Sequence, residues 1–288
     1  MERDAFSRFH PAVNFVFFAG AIGFGVIWQH PMYLLAGLLC AGMYYALTVR
    51  SWKMPLAMVP MALVVALINP IINTRGDTVL FSLLGRPYTL EALCYGGALA
   101  VMLLVTLLWF GCYSQVLTSD KFICLFGSLM PSLSLLLVMV LRLIPSFLRK
   151  TRQIAAARDA IGMGGAEGTT LREKAAAGMT ILSALTDWAL EGSIVTADSM
   201  RSRGYGAARR TSYRLYRMTF RDWVLLSAEL VIAAILLTDL GCGAAEFTPK
   251  LIIPALSWRY GLYWTFLLIP TVLQWKEAIQ WRILRSKI

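Results

Sequence analysis

Charged residues are scarce in this sequence. Asp, Glu, Lys and Arg make up 15% of its 288 residues, whereas soluble domains usually carry about 25%. None of the four occurs between Arg8 and Arg50, between Lys53 and Arg75, or between Glu91 and Asp120. Uncharged apolar runs of about 18 residues or more are typical of helices that cross a membrane. The lack of charge therefore excludes an ordinary soluble domain and predicts an all-α, polytopic helical membrane protein.

Residue types that carry catalysis or bind metals are also scarce. The chain has two histidines, His10 and His30, and both are far in sequence from any cluster of acidic residues. No zinc, nucleophile or paired-carboxylate pattern is present. The five cysteines form no C-x-x-C pair, and we expect buried apolar thiols: Cys40, Cys94, Cys112, Cys124 and Cys242. We therefore predict a non-catalytic protein without a metal, a cofactor or a nucleic-acid partner.

The apolar runs predict about six spanning helices. They lie at approximately 12–29, 32–49, 54–72, 90–113, 222–241 and 251–273. Residues 73–89, "NTRGDTVLFSLLGRPYT", combine a β-prone run with Gly85-Arg86-Pro87 and predict a hairpin or turn on the outer side. This organisation predicts a membrane region at 1–121 with four spans, a cytoplasmic module at 122–210, and a membrane region at 211–288 with two spans and a basic tail.

The distribution of basic residues predicts the orientation. If the N-terminus is cytoplasmic, 23 of the 27 Lys and Arg residues fall in cytoplasmic segments, fifteen of them between Lys121 and Arg221. The opposite orientation would place nearly all of them outside, against the positive-inside rule. We therefore expect both termini in the cytoplasm and a location in a bacterial or archaeal inner membrane. We expect no signal peptide, because no small-residue cleavage site follows the first apolar segment.

The segment 122–141, "FICLFGSLMPSLSLLLVMVL", has two possible interpretations. It contains no charge, so hydropathy alone predicts a seventh span. A seventh span would move Arg149 and the basic residues after it to the outside, and Pro131 interrupts the run. We therefore predict a short helix followed by a second helix that begins near Pro131 and lies in or under the inner leaflet.

Two long amphipathic helices are predicted in the cytoplasmic module. The first covers about 131–161, with Pro145 as a bend, and Phe147, Ile154 and Ile161 share one face. The second begins at a capping box formed by Thr170 and Glu173. Its apolar stripe follows spacings of four and three residues: Ile181, Leu185, Trp188, Gly192 and Val195.

Each of these helices carries an arginine near its C-terminal end. Arg158 occurs in "AARDAIG" and Arg203 in "RSRGYG", and glycines that can stop a helix follow both. A cation at a helix C-terminus offsets the local negative partial charge, typically by about 0.3–1 kcal/mol. That explanation suffices for Arg203 alone, but it explains less well why the pattern recurs 45 residues apart on two similar helices.

One acidic residue lies inside a predicted span. Glu229 falls within 222–241, where an ionisable group is costly and is a functional candidate by default. A packing or pairing role is an equally good alternative, since the residue lies only one or two turns from the cytoplasmic end.

Two stretches resemble a known family. "LLLVMVLRLIPSFLRKTRQIAAARDAIGMG" (135–164) and "GSIVTADSMRSRGYGAARRTSYR" (192–214) are similar to the membrane-embedded T component of energy-coupling factor (ECF) transporters, which are ABC-type importers of vitamins and transition-metal ions. The T component has an R-x-I-P helix, an Ala-Arg-Gly box, and a second such box followed by Tyr. Residues 73–98 also resemble its outer hairpin and the helix that follows.

The resemblance implies a scaffold and energy-coupling subunit. The two amphipathic helices would be coupling helices lying crosswise beneath the membrane. Arg158 and Arg203 would insert into grooves of two cytoplasmic ATPase subunits, within the boxes Ala157-Arg158-Asp159 and Ser202-Arg203-Gly204. The apolar faces would support a separate substrate-binding S component: Phe147, Ile154, Ile181, Leu185, Trp188 and Val195.

The boxes depart from the family pattern at two positions. Asp159 replaces the usual glycine of the first box, and Ser202 replaces the usual alanine of the second. Asp159 has two expected partners, its neighbour Arg158 or a lysine of an ATPase. The departure leaves the docking of the first helix open.

Two transport alternatives remain. A conventional ABC permease carries an E-A-A-x-x-x-G loop, of which "EKAAAGM" (173–179) is a partial match without the I-x-L-P that should follow. A secondary transporter would need broken helices and polar groups at the membrane midplane, for which Asn69-Pro70 is the one indication.

Overall fold

The computed structural model describes residues 5–49, 51, 53–73, 78–83, 86–127, 130–163, 170–207, 216–238 and 257–285. These residues form nine α-helices and one β-hairpin. The helices are α1 (Pro11–Ile27), α2 (Pro31–Thr48), α3 (Lys53–Ile72), α4 (Leu90–Val116), α5 (Ser119–Gly127), α6 (Pro131–Ala160), α7 (Leu171–Ser202), α8 (Phe220–Leu237) and α9 (Arg259–Arg285). The described part of the chain is all-α apart from this hairpin, as the sequence predicts.

The first two helices begin in the same way. The imidazole Nδ1 of His10 accepts a hydrogen bond from the Ala12 backbone N–H at 3.2 Å, and Nδ1 of His30 accepts one from Met32 at 3.1 Å. A proline follows each histidine at the first helical position, where its missing N–H costs nothing. Both histidines are therefore helix caps.

Each of the six stretches that hydropathy selected contains a helix in the part that the structure describes. Helices α2, α3 and α4 are long and apolar enough to cross a membrane, judged by length and composition alone, and α1 is a shorter apolar helix. Helix α8 carries Arg221, Asp222 and Glu229, which lower its apolar character. The number of segments that span the bilayer stays a prediction.

Helix α9 extends beyond the predicted end at residue 273 and continues to Arg285. Residues 251–256 lie outside the described residues. Hydropathy falls after residue 273 because Lys276, Glu277 and Arg282 are charged, yet the segment contains no Gly or Pro. The predicted span ends where hydropathy falls, whereas the helix continues because no Gly or Pro interrupts it. Where the span itself ends stays a prediction.

The predicted hairpin is present between α3 and α4. Strand β1 (Val79–Leu83) pairs antiparallel with β2 (Arg86–Thr89), with Val79 opposite Thr89 and Leu83 opposite Arg86. The Thr78 hydroxyl donates to the Glu91 carboxylate at 2.6 Å, which fastens the hairpin to the first turn of α4. The side of the membrane on which the hairpin lies stays a prediction.

The described residues divide into two compact units. Unit 1 comprises Met1–Phe122 and Tyr216–Ile288, and unit 2 comprises Ile123–Leu215. Unit 2 covers nearly the same residues as the predicted module at 122–210, and its location in the cytoplasm stays a prediction. Within unit 2 the run 122–141 is broken as predicted, because α6 begins with Pro131 after α5 has ended at Gly127.

Aromatic rings dominate the core of unit 1. Phe17 of α1 packs against Trp109 of α4 at 5.5 Å between ring centroids and stacks on Phe266 of α9 at 5.3 Å. All three side chains are fully buried. Because aromatic residues bury large apolar areas, these contacts join three helices that are distant in sequence.

The cysteines follow the prediction only in part. Cys40 and Cys112 are buried free thiols, whereas Cys124 is half-buried and Cys94 is exposed. The prediction was wrong for Cys94 because it lies on a face of α4 that other described helices do not cover. Cys242 lies outside the described residues.

Candidate functional site

The first candidate arginine lies in the last turn of α6. The Met163 backbone N–H donates to the Arg158 carbonyl at 2.9 Å, and the Gly162 N–H donates to the Asp159 carbonyl at 3.1 Å. Gly162 has φ 73°, a left-handed conformation that glycine adopts without steric cost. This hydrogen-bond pattern is the Schellman motif, so α6 ends at the predicted glycine, and Ile161 is its C-cap.

Helix α7 ends in the same motif. The Tyr205 N–H donates to the Met200 carbonyl and the Gly204 N–H to the Arg201 carbonyl, both at 3.0 Å. Gly204 has φ 76°. Thr170 and Glu173 form the predicted capping box at the other end of the helix. Local sequence therefore determines both ends of α7.

The two arginines are not equivalent in these motifs. Arg203 is the C-cap of α7, directly before the left-handed glycine. Arg158 lies four residues before Gly162, inside α6. Arg158 and Arg203 hold the same place in the two sequence boxes. In the structure, however, Arg158 lies three residues further from its left-handed glycine than Arg203 does.

The surroundings of the two side chains also differ. The Arg158 guanidinium donates to the Ala177 carbonyl of α7 at 3.0 Å and to the Met163 carbonyl at 3.3 Å. Arg158 is half-buried, whereas Arg203 is exposed. Among the described residues, the Arg203 side chain makes no hydrogen bond. Arg158 therefore joins α6 to α7, and Arg203 projects into solvent.

The other box residues are exposed. Asp159 forms no ion pair with Arg158 within the described part of the chain, because that guanidinium is directed to carbonyl groups. The Ser202 hydroxyl donates to the Asp198 carbonyl of its own helix at 3.0 Å. Ala157 and Gly204 are exposed, and a Cβ at Gly204 would meet nothing within 4 Å. Because Asp159 is exposed and Arg158 is directed elsewhere, the Asp159 carboxylate is accessible to a partner.

Helices α6 and α7 pack antiparallel in unit 2. Phe147 and Trp188 meet edge to face at 5.6 Å between ring centroids, and the Lys150 ammonium lies 5.8 Å from the centre of the Trp188 ring. The Arg158–Ala177 contact lies eleven residues further along each helix, in opposite chain directions. At about 1.5 Å per residue, the helices run beside each other for at least about 16 Å.

The predicted apolar face divides into two parts. Phe147, Ile154, Ile181, Leu185 and Trp188 are half-buried. Val195 is 63% exposed, and Gly192 is exposed as well. The half-buried residues lie where α6 and α7 contact each other, whereas the last turns of α7 extend beyond that contact.

Polar contacts in unit 1 involve α1, α4, α5, α8 and α9, and little in the sequence indicates them. The Arg8 guanidinium pairs with the Glu277 carboxylate of α9 at 2.6 Å. The buried Lys121 ammonium donates to the Val116 carbonyl at the end of α4, 2.9 Å away. The His10 N–H donates to the Asp222 carboxylate of α8 at 3.1 Å.

These contacts lie at the end of unit 1 that the charge distribution assigns to the cytoplasm. Burial lowers the pKa of His10 below its usual value, and the nearby Asp222 carboxylate opposes that shift. The Thr-x-x-Asp spacing of Thr219 and Asp222 is a capping-box signal that could have identified the start of α8. No sequence pattern pairs Arg8 with Glu277.

Glu229 is completely buried in α8. Neither of its carboxylate oxygens has a hydrogen-bond partner among the described residues. The pairing alternative therefore finds no partner in this part of the chain. Among the same residues, no group of three His, Cys, Asp or Glu is arranged to hold a metal ion.

Comparison with known proteins finds similarity to a protein of assigned identity. No family model matches the chain. The energy-coupling factor transporter transmembrane protein EcfT of Lacticaseibacillus paracasei is 34% identical over 107 residues, which are 36% of this chain and 40% of that protein. The chain thus matches less than half the length of this relative. Together with the apolar helices, the relative indicates a membrane-embedded protein. The resemblance to the transmembrane T component of ECF transporters is therefore confirmed, by a curated relative that aligns with part of this chain.

Proposed function

We propose that this chain is the transmembrane scaffold and energy-coupling subunit of an ECF-type ABC importer. It would transmit the ATP-driven motion of two cytoplasmic ATPase subunits to a separate S component that binds a vitamin or metal ion. The observation that carries the proposal is the antiparallel α6–α7 pair, in which both helices end in the same motif and each carries an arginine in or next to its last turn. The similarity to EcfT supports it.

Arg203 is the better suited of the two arginines to reach an ATPase. Its side chain is exposed at the tip of α7, and Gly204 and Gly206, with φ of 76° and 92°, turn the backbone away directly behind it. A guanidinium presents a planar fork of donors that can hold a carboxylate or backbone carbonyls of a partner.

Arg158 would serve the same role through fewer free donors. A guanidinium has five N–H groups, and two of them are directed to Ala177 and Met163. The exposed Asp159 beside it would accept from a lysine of the partner. The two docking sites would therefore differ in chemistry, with a free arginine on α7 and an arginine next to an acid on α6.

The structure offers a packing role for the residues that support the permease alternative. "EKAAAGM" (173–179) belongs to α7. Its small side chains allow the Arg158 guanidinium to reach the Ala177 carbonyl. These alanines therefore have a reason to be present that does not require a conventional permease loop.

The test is assembly with the ATPases encoded beside this gene. We expect the wild-type chain to co-purify with them and Arg203→Glu to lose most of that association, because the reversed charge repels the acceptor groups. Arg172→Glu, at an exposed position near the start of α7, is the matched control and should assemble normally. Unchanged assembly and uptake in an Arg158→Glu/Arg203→Glu double variant would refute the proposal.

A further inference from the structure

Helix α9 is longer than the membrane requires. Its 27 residues span about 40 Å at 1.5 Å per residue, whereas the hydrocarbon core of a bilayer is about 30 Å thick. The Tyr260 hydroxyl donates to the Met32 carbonyl near one end, and Glu277 pairs with Arg8 near the other. The residues after Glu277 therefore run roughly 12 Å past the start of α1.

One face of this C-terminal part is apolar and exposed. Val272, Trp275 and Ile279 are 58%, 59% and 55% exposed, and their spacing of three and four residues puts them on one side of the helix. The opposite side holds Gln274, which donates to the Leu47 carbonyl, and Glu277, which pairs with Arg8. The outer side thus lacks a cover among the described helices. The inner side is engaged as far as Glu277, and beyond it Trp281 and Leu284 on that side are 54% and 55% exposed as well.

Two cations flank the apolar strip. Lys276 and Arg282 are exposed, and at 100° per residue they lie roughly 60° to either side of its centre. The one acidic group of this part of the helix, Glu277, is on the inner side and neutralised by Arg8. The outer side therefore combines a tryptophan, aliphatic side chains and two positive charges without a negative one.

We propose that this surface binds anionic phospholipid. We call it the α9 lipid face and define it as Val272, Trp275, Lys276, Ile279 and Arg282. Tryptophan favours the level of the headgroups, lysine and arginine extend their charged ends toward phosphate while their stems cover apolar surface, and basic helices attract anionic lipid. At 1.5 Å per residue, Lys276 and Arg282 lie roughly 24 Å and 33 Å from Tyr260, so the two cations stand on either side of the boundary of a core about 30 Å thick, in the leaflet in which α1 begins.

A protein partner is the weaker fit. Lys276 and Arg282 flank the apolar strip with no acidic residue on that side of the helix, whereas lysine is depleted at the centre of protein interfaces. An anionic lipid can cover the apolar strip and neutralise the two cations at once, because its acyl chains contact the strip and its phosphate pairs with the cations. The proposal is independent of the role of α6 and α7.

Hydrogen exchange of the full-length chain in lipid nanodiscs tests the proposal. The wild-type protein is compared in discs of phosphatidylcholine alone and in discs that also contain phosphatidylglycerol. We expect slower exchange at the C-terminal end of α9 when the anionic lipid is present. Lys276→Glu/Arg282→Glu should abolish that difference, because each cation near an anionic surface contributes about a fivefold preference.

The control variant carries the same change of charge elsewhere. Arg172→Glu/Lys174→Glu alters two exposed cations at the start of α7 and should retain the effect of phosphatidylglycerol. Exchange in α1 and α2 reports whether each variant is folded. If Lys276→Glu/Arg282→Glu is not folded, the charge-neutralising variant Lys276→Gln/Arg282→Gln replaces it. Equal exchange in both kinds of disc would overturn the proposal. The proposal would also be overturned if exchange at the end of α9 slowed in phosphatidylcholine discs only after a protein partner was added.

Discussion

Arg158 shows how one residue can have a role that its sequence pattern does not indicate. Its guanidinium connects the last turn of α6 to the backbone of α7 through Ala177. Hydrogen bonds that involve a charged group contribute about 1.5–3 kcal/mol when buried, and partial exposure reduces the value to about 1 kcal/mol. Arg158 is therefore a contact within unit 2 as well as a candidate for docking.

We expect Arg158→Ala to loosen α6 against α7. The loss of both hydrogen bonds should broaden the distribution of distances between spin labels at Ala156→Cys and Leu182→Cys, in a variant whose natural cysteines are replaced. Pulsed electron paramagnetic resonance of the chain without ATPases measures this distribution. Arg158→Lys should restore it in part, because an ammonium retains the charge but not the fork.

Arg203→Ala is the matched control for this experiment. Its side chain makes no hydrogen bond among the described residues, so the distribution should stay that of the wild type. If Arg158→Ala and Arg203→Ala give the same distribution as the wild type, Arg158 has no role within unit 2. That result would leave its proposed contact with an ATPase unaffected.

At the scale of single elements, the ends of α6 and α7 are determined by local chemistry. Both helices stop at a glycine with positive φ, and a capping box starts α7. Each of these signals covers only a few residues, and each satisfies backbone groups that a helix end leaves unpaired. They need no contact with the rest of the molecule.

We predict opposite effects for alanine at two glycines of this region. Gly204→Ala should destabilise the end of α7 by about 1 kcal/mol, because a side chain is strained at positive φ. Gly192→Ala should stabilise the helix by up to about 1 kcal/mol, since alanine is the better helix former. A Cβ has open space at both positions, so the backbone alone decides the sign. Hydrogen exchange along α7 measures both, and shifts in the same direction would contradict the argument.

At the scale of the whole molecule, basic segments that are far apart in sequence meet at one end of unit 1. Arg8 pairs with Glu277, and the Lys121 ammonium donates to the Ser7 hydroxyl at 2.9 Å. The hairpin connects the C-terminal end of α3 to the N-terminal end of α4, at the other end of these helices. The positive-inside rule then assigns the first end to the cytoplasm and the hairpin to the outside.

Thiol labelling of intact cells tests this orientation. In a variant without natural cysteines, Leu80→Cys at an exposed position of the hairpin should react with a membrane-impermeant reagent. Gln280→Cys, exposed near the end of α9, should react only after the cells are opened. Reaction of Gln280→Cys in intact cells would reverse the proposed topology.

The sequence by itself determined the helical class, the positions of most helices, the break before Pro131, the hairpin and the caps of α7. All of these depend on local hydrophobicity, turn chemistry and capping, which act over a few residues. The tertiary structure decided that Arg158 joins α6 to α7, that Glu229 is buried without a described partner, and that α9 continues past residue 273 and contacts other helices as far as Glu277. Those features depend on which segments approach each other. The sequence did not reveal them because long-range contacts leave no periodic or local signal in the chain.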